Sequence, residues 1–168
     1  MEMAGKDVCV LGSHTKNLNY EKAKQQVFIV GCKGIPANYG GFETFVEKLT
    51  EYQKSGRICY HVFCMGNENF QFEYNGARCI KLRVPNIGAA RAIYYDAKAL
   101  QWGIDYCKNH TTIRHPIFYV LACRIGPFIS YYKRQIEQMG GVLYVNPDGH
   151  EWMRAKWGKL VRKYWKLS

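Results

Sequence analysis

The segment VFIVGCKGIPANYGGFE, residues 27–43, decides how the rest of this chain is read. Its first four residues form a short apolar run rich in β-branched side chains and bounded by Gly31, the pattern of a buried strand. A loop of Gly, Pro and Asn follows, and then Phe42, Phe45, Val46 and Leu49 recur at helical spacing, which predicts a helix to about Lys54. Glycine amides offered just where a helix dipole begins make an arrangement suited to an anion. The same loop is also what a tight turn requires. It is neither Gly-x-Gly-x-x-Gly nor Gly-x-x-x-x-Gly-Lys-[Ser/Thr], so the dinucleotide and P-loop fingerprints are both missing. The next strand, residues 58–64, ends without an acidic residue to hold an adenosine ribose, which disfavours a nicotinamide dehydrogenase.

Outward from this segment, FQFEY-NG-ARCIKLRV (residues 70–84) places two alternating runs around Asn-Gly, the pattern of a β-hairpin. This antiparallel pair reads as an excursion inserted into an otherwise alternating order of strands and helices. Ile93, Ala97, Leu100, Ile104 and Cys107 mark one face of a long helix, residues 117–122 a continuous apolar strand, and Pro127 the first turn of another helix. Gly140-Gly141 ends that helix, residues 142–145 form the last strand, and an amphipathic helix runs from about Glu151 onward. Short, fully apolar strands alternating with helices predict an α/β fold: a Rossmann-like, three-layer α/β/α domain with a mostly parallel sheet and an inserted β-hairpin. Ligands in such folds bind beyond the carboxyl ends of the strands, which directs attention to residues 31–43, 85–91, 123–127 and 146–152.

The chain has 168 residues, room for one domain, with 48% hydrophobic and 15% aromatic residues, enough for a sizeable core. Its net charge of +11 favours a polyanionic partner: nucleic acid, an anionic membrane surface or a phosphorylated substrate. Seven cysteines without a Cys-x-x-Cys pair sit mostly in apolar runs, as suits a reducing cytosol, and no apolar run approaches membrane-spanning length. A cytoplasmic protein is expected, with the option of contact at the inner face of the membrane. His14, His61, His110, His115 and His150 are scattered and read as surface or loop residues, so no metal site and no cofactor is expected. Residues 1–24 read as an N-terminal extension, although VCVLGS at 8–13 echoes VFIVGC at 27–32 and leaves an extra edge strand open.

Four ordered motifs carry a family likeness: GxxGIPAxYGGFETFVEKL (31–49), VPNIGAARAI (84–93), LACRIGPF (121–128) and NPDGHEWMRAKW (146–157). Together they resemble the start of bacterial retaining family 4 glycosyltransferases of GT-B architecture, nearest to the rhamnosyltransferase group of polysaccharide and cell-envelope biosynthesis. The resemblance spans residues 26–168. It implies an acceptor-side N-terminal domain over 25–168, a C-terminal donor-binding domain not contained in this chain, and little activity without that domain. It further implies transfer of a sugar, rhamnose from dTDP-rhamnose, to a lipid-linked saccharide acceptor; no nucleic-acid partner is expected, because the sequence lacks a nucleic-acid motif and its aromatics form no base-stacking platform.

The resemblance also implies site residues. Gly34, Gly40, Gly41, Phe42 and Glu43 would form the loop facing the donor diphosphate. Tyr39, Asn86, Arg91 and Arg124 would contact the acceptor. Asp148, His150 and Glu151, at the end of the last strand, would contact the reacting sugars as catalytic residues. Each has a plainer alternative: Asp148 as a helix cap, and Arg124, a charge directly after a buried strand, in an internal salt bridge rather than on a phosphate or sugar. The tail WMRAKWGKLVRKYWKLS (152–168) sets Met153, Trp157, Leu160, Val161 and Tyr164 against a crowd of Lys and Arg. Such a helix suits peripheral contact with the membrane through residues 152–166, or packing of its apolar side on the sheet. The rival from a different class is a non-catalytic basic module binding membrane or nucleic acid through this tail.

Overall fold

The computed structural model describes residues 24–38, 40–147 and Lys163. Within them the chain forms β1 (Gln25–Val30), α1 (Gly41–Glu51), β2 (Ile58–Gly66), β3 (Phe70–Tyr74), β4 (Ala77–Arg83), α2 (Arg91–Asn109), β5 (Ile117–Leu121), α3 (Ile129–Gln138) and β6 (Val142–Asn146). The six strands make one sheet in the order β3-β4-β2-β1-β5-β6. Every neighbouring pair is parallel except β3 with β4. From β1 the chain builds outward through β2 to β4, then returns across the sheet to β5 and continues to β6. The reversal lies between β1 and β5, so the crevice typical of such sheets opens at their carboxyl ends.

The hairpin around Asn75-Gly76 is present, both turn residues holding the positive φ that a two-residue turn demands. β4 joins the sheet as a parallel neighbour of β2, with Val62 opposite Cys79 and Cys64 opposite Lys81, and only β3 runs against the rest. Both faces of β4 are buried, Ile80 and Leu82 on one and Ala77 and Cys79 on the other, and the sequence pattern is blind to strand direction. α1 ends at Glu51, earlier than its apolar spacing predicts, and is closed by Tyr52 N donating to Lys48 O and Gln53 N to Thr50 O.

Two apolar layers flank the sheet. On one face Phe28, Val30, Phe63, Ile80, Leu82 and Phe118 pack beneath α2 and α3, which contribute Tyr95, Leu100, Ile104, Tyr132 and Ile136. On the other, Ile29, Val62, Cys64, Phe72 and Cys79 meet Val46 of α1. The buried stripe of α2 runs through Tyr95, Asp96, Ala99, Leu100, Gly103, Ile104 and Cys107, turned from the stripe through Ile93 and Ala97 that apolar spacing predicts. Gly103 explains the turn: a Cβ there would stand 2.7 Å from the Phe118 ring, so the helix approaches the sheet along its small residues. Beside α1 the sheet leaves an open apolar groove lined by Leu49, Tyr60, Tyr119 and Tyr144.

His61, expected at the surface, is instead wholly buried on β2. Its ring stacks on Phe28 at 4.5 Å and lies 5.4 Å from Tyr106, while Nε2 bonds Gln26 Oε1 at 2.6 Å. Burial, helped by nearby Arg78, pushes its pKa down to about 3, so the imidazole is neutral. Spacing in sequence says nothing about burial, which strand register decides. Cys32, Cys64, Cys79 and Cys107 are buried free thiols packed as small apolar groups. Among the described residues no helix is long and apolar enough to cross a membrane.

Candidate functional site

The carboxyl edge of the sheet is assembled around the loop after β1. Gly31 has φ +102°, and a Cβ there would stand 2.4 Å from the Leu121 carbonyl oxygen, so only glycine lets the end of β1 lie against the end of β5. Across this contact Ala122 also has φ +118°, a conformation that side chains rarely adopt. Backbone bonds hold both ends: Ala122 N donates to Asn146 O at 3.2 Å, and Met65 N to Lys33 O at 2.9 Å. The edge over β2, β1, β5 and β6 is therefore one connected surface.

Glu43 holds the loop from above. It lies in the first turn of α1, is buried, and accepts a bond from Lys33 N at 2.6 Å. A Cβ on Gly40 (φ +123°) would stand 2.0 Å from Glu43 Oε2. Glu43 thus brings its own carboxylate to the positive end of α1, where a bound anion was expected. Its place in the structure is as a clamp on the loop, because its Oε1 is taken by the Lys33 backbone amide. Gly34 (φ +120°) is likewise internal, 2.6 Å from Cys64 Cβ by the same construction. Phe42 packs against the apolar layer beneath α1. Of the expected donor loop, Gly41 stands open, with nothing within 4 Å of a Cβ. The Ile35–Pro36 peptide in this loop is cis.

Arg124 follows β5 and turns inward. Its Nε donates to Asp96 Oδ2 at 2.7 Å, and its Nη2 bonds both Asp96 Oδ1 and the Gly31 carbonyl oxygen. One guanidinium therefore ties the end of β1, the end of β5 and the second turn of α2. Of the two readings open in the sequence, the internal salt bridge is the one found, and Arg124 positions the edge rather than standing ready for an acceptor. Asp96 is fully buried, and burial pushes its carboxyl above the ordinary value while Arg124 pulls it back. Tyr95 OH adds a bond to Cys32 O at 2.9 Å, and burial raises that phenol well above its usual range.

The loop between β4 and α2 is exposed from Pro85 to Ala90, Asn86 included, and Gly88 (φ +59°) opens the single 3-10 turn that leads into α2. Arg91 is half-buried at the head of α2, and its Nε is shielded from solvent without a hydrogen-bond partner among the described residues. Tyr39 and the expected catalytic trio Asp148, His150 and Glu151 lie outside the described residues, as does the basic tail from 152 to 162. Among the described residues no group of three or more His, Cys, Asp or Glu side chains could hold a metal ion.

Two features of the edge escaped the sequence reading. Asp96 was legible in principle, since an acidic residue inside the apolar stripe of α2 calls for a buried cation. The second is a cavity of about 500 Å³ between the glycine loop and the β3–β4 hairpin, which brings Lys33 and Lys81 together with Phe70 and Phe72. No spacing along the chain reveals it, because the hairpin enters through sheet order alone.

Fold and edge together define a doubly wound α/β domain whose chemistry-bearing loops meet above the β1–β5 crevice. The chain belongs to the family described as Domain of unknown function (DUF1972), whose sequence profile matches residues 24–168. No curated protein and no solved structure matches it.

Proposed function

We propose that this chain is the acceptor-side domain of a retaining GT-B glycosyltransferase, moving rhamnose from dTDP-rhamnose to a lipid-linked saccharide. One observation carries the reading. The segments bearing the glycosyltransferase-like motifs (31–43, 84–93 and 121–128) follow β1, β4 and β5 and lie along the carboxyl edge of one mostly parallel sheet. The fourth motif begins at Asn146, the last residue of β6, whose carbonyl is bonded to that edge. Membership of a family associated with N-terminal regions of glycosyltransferases supports the same reading.

On this proposal the domain supplies shape more than reacting groups. Glu43 and Arg124 lock the loops, Gly41 leaves the backbone open toward a donor diphosphate held by a second domain, and Asn86 with Arg91 borders the acceptor side. Asp148, His150 and Glu151 remain the proposed sugar contacts. Contact of residues 152–166 with an anionic membrane surface would bring the lipid-linked acceptor within reach, at the cytoplasmic face. The test is a donor screen on the full-length protein with extracted lipid-linked acceptors. Turnover of dTDP-rhamnose above that of other nucleotide sugars is expected. A full-length protein that neither hydrolyses nor transfers from any nucleotide sugar would refute the proposal.

A further inference from the structure

The cavity between the glycine loop and the hairpin gathers two lysines and two phenylalanines from segments far apart in the chain. Its rim is positive. Lys33 is exposed, and among the described residues neither Lys33 nor Lys81 has a carboxylate partner. The carboxylate lining the cavity, Glu43, is already engaged with the Lys33 backbone amide. One wall is aromatic: the Phe70 and Phe72 rings lie 5.6 Å apart, and Phe70 is 38% exposed. Register explains the assembly. Phe70 stands opposite Lys81, and Lys81 opposite Cys64, so a single row across β3, β4 and β2 runs up to the loop bonded at Met65. The Lys81 ammonium stands 4.8 Å over the Phe70 ring, and its stem lies against Gly66, where a Cβ would come within 2.8 Å. The charge is thus held at the aromatic wall rather than swinging free. Asn38 adds an amide to the rim.

We infer that this cavity binds a pyranose carrying a negative charge, a phosphate or a carboxylate, as part of the acceptor. A pyranose ring has an apolar face of C–H groups that packs on an aromatic ring, while its anionic substituent would meet the two ammonium groups. A cleft of this volume, part aromatic and with few convergent polar groups, is the usual form of a small-molecule site. The assignment of this sugar to the acceptor rests on the glycosyltransferase reading above; the binding chemistry does not.

Calorimetric titration of the full-length protein with glucose 1-phosphate, glucuronate, glucose and inorganic phosphate tests it. At least one anionic sugar should bind roughly tenfold or more tightly than either glucose or phosphate alone. Comparing glucose 1-phosphate with glucuronate tells which anion is preferred. Lys33→Met and Lys81→Met should each weaken that binding by about tenfold with thermal unfolding unchanged, and Phe70→Ala should weaken the sugar without affecting phosphate. Binding of no probe, equal binding of phosphate and sugar phosphate, or binding indifferent to both lysine variants overturns the inference. Nucleotide-sugar turnover measured on the same samples separates the two readings. Turnover without anionic-sugar binding removes the cavity assignment alone, whereas lysine-dependent binding without turnover removes the transfer reading alone.

Discussion

Arg124 and Lys81 are both cations near the carboxyl edge of the sheet, and they meet opposite fates. Arg124 sits over the β1–β5 crevice with its guanidinium on Asp96 and Gly31. Lys81 stands two strands away, over an aromatic ring and beside a cavity, with no carboxylate partner among the described residues. The difference follows from what surrounds each. The Asp96 carboxylate under α2 is out of water and persists only when paired and hydrogen-bonded, so it holds the partly buried Arg124 inward, whereas a charge on a cavity wall keeps its solvent and is free to take a ligand. Charge at a strand end is therefore not by itself a sign of binding; the side of the sheet and the depth of the site decide.

The comparison breaks most visibly at Asp96. Asp96→Ala leaves the largely buried Arg124 guanidinium without its carboxylate and should cost about 3–5 kcal/mol in urea unfolding, lowering the melting temperature by roughly 10 °C. Asp96→Leu combined with Arg124→Met should recover most of that loss, since removing both charges leaves neither unpaired. A single-variant loss under about 1 kcal/mol would place Arg124 with Lys81 after all.

Next in size is an acid effect centred on His61. Its pKa is lowered in the folded state, so the unfolded chain takes up the proton first. Stability is then full above the unfolded pKa near 6.5 and falls with pH toward about 3. The slope is at most about 1.4 kcal/mol per pH unit, or about 2 kcal/mol lost by pH 5. His61→Gln, which does not titrate and retains a donor for Gln26, should flatten the stability profile between pH 6.5 and 5. An unchanged slope in that variant would assign the acid sensitivity to other groups.

Within the glycine loop the contrast narrows to two neighbours in function. Gly34→Ala meets both a positive φ and the Cys64 side chain, and should destabilise by about 1–3 kcal/mol. Gly41→Ala enters open space at the head of α1 and should be neutral or stabilising by up to about 1 kcal/mol, read by thermal unfolding. Smallest of all, Lys81→Met should move stability by no more than about 0.5 kcal/mol, because the stem that packs on Gly66 is retained. A loss comparable to that of Asp96→Ala would make Lys81 structural and end the contrast with Arg124.

The strands and helices were legible because their signals are local. An apolar run before Gly31, helical spacing after Gly41 and Asn-Gly between alternating runs each act within a few residues. The candidate site was only partly legible, for a physical reason. Glu43 looks like part of an anion loop until its carboxylate is found on Lys33 N, and Arg124 looks like a ligand contact until Asp96 is found beneath it. Both partners lie at contacts that spacing does not encode, one 10 and the other 28 residues away. Misreading His61 has the same origin, since a lone polar residue in an apolar strand has no marker for the side it faces.

By itself the sequence determined the α/β alternation, the hairpin and the position of the glycine loop ahead of a helix. These rest on backbone preferences and on the periods of side chains along single elements. Only the tertiary structure decided that β4 runs parallel beside β2, that Gly31 must lie against Leu121, and that Arg124 is held inside while Lys33 and Lys81 border a cavity. Strand order, and with it the distance between residues far apart in the chain, is set by how whole elements pack, and no local pattern carries that information.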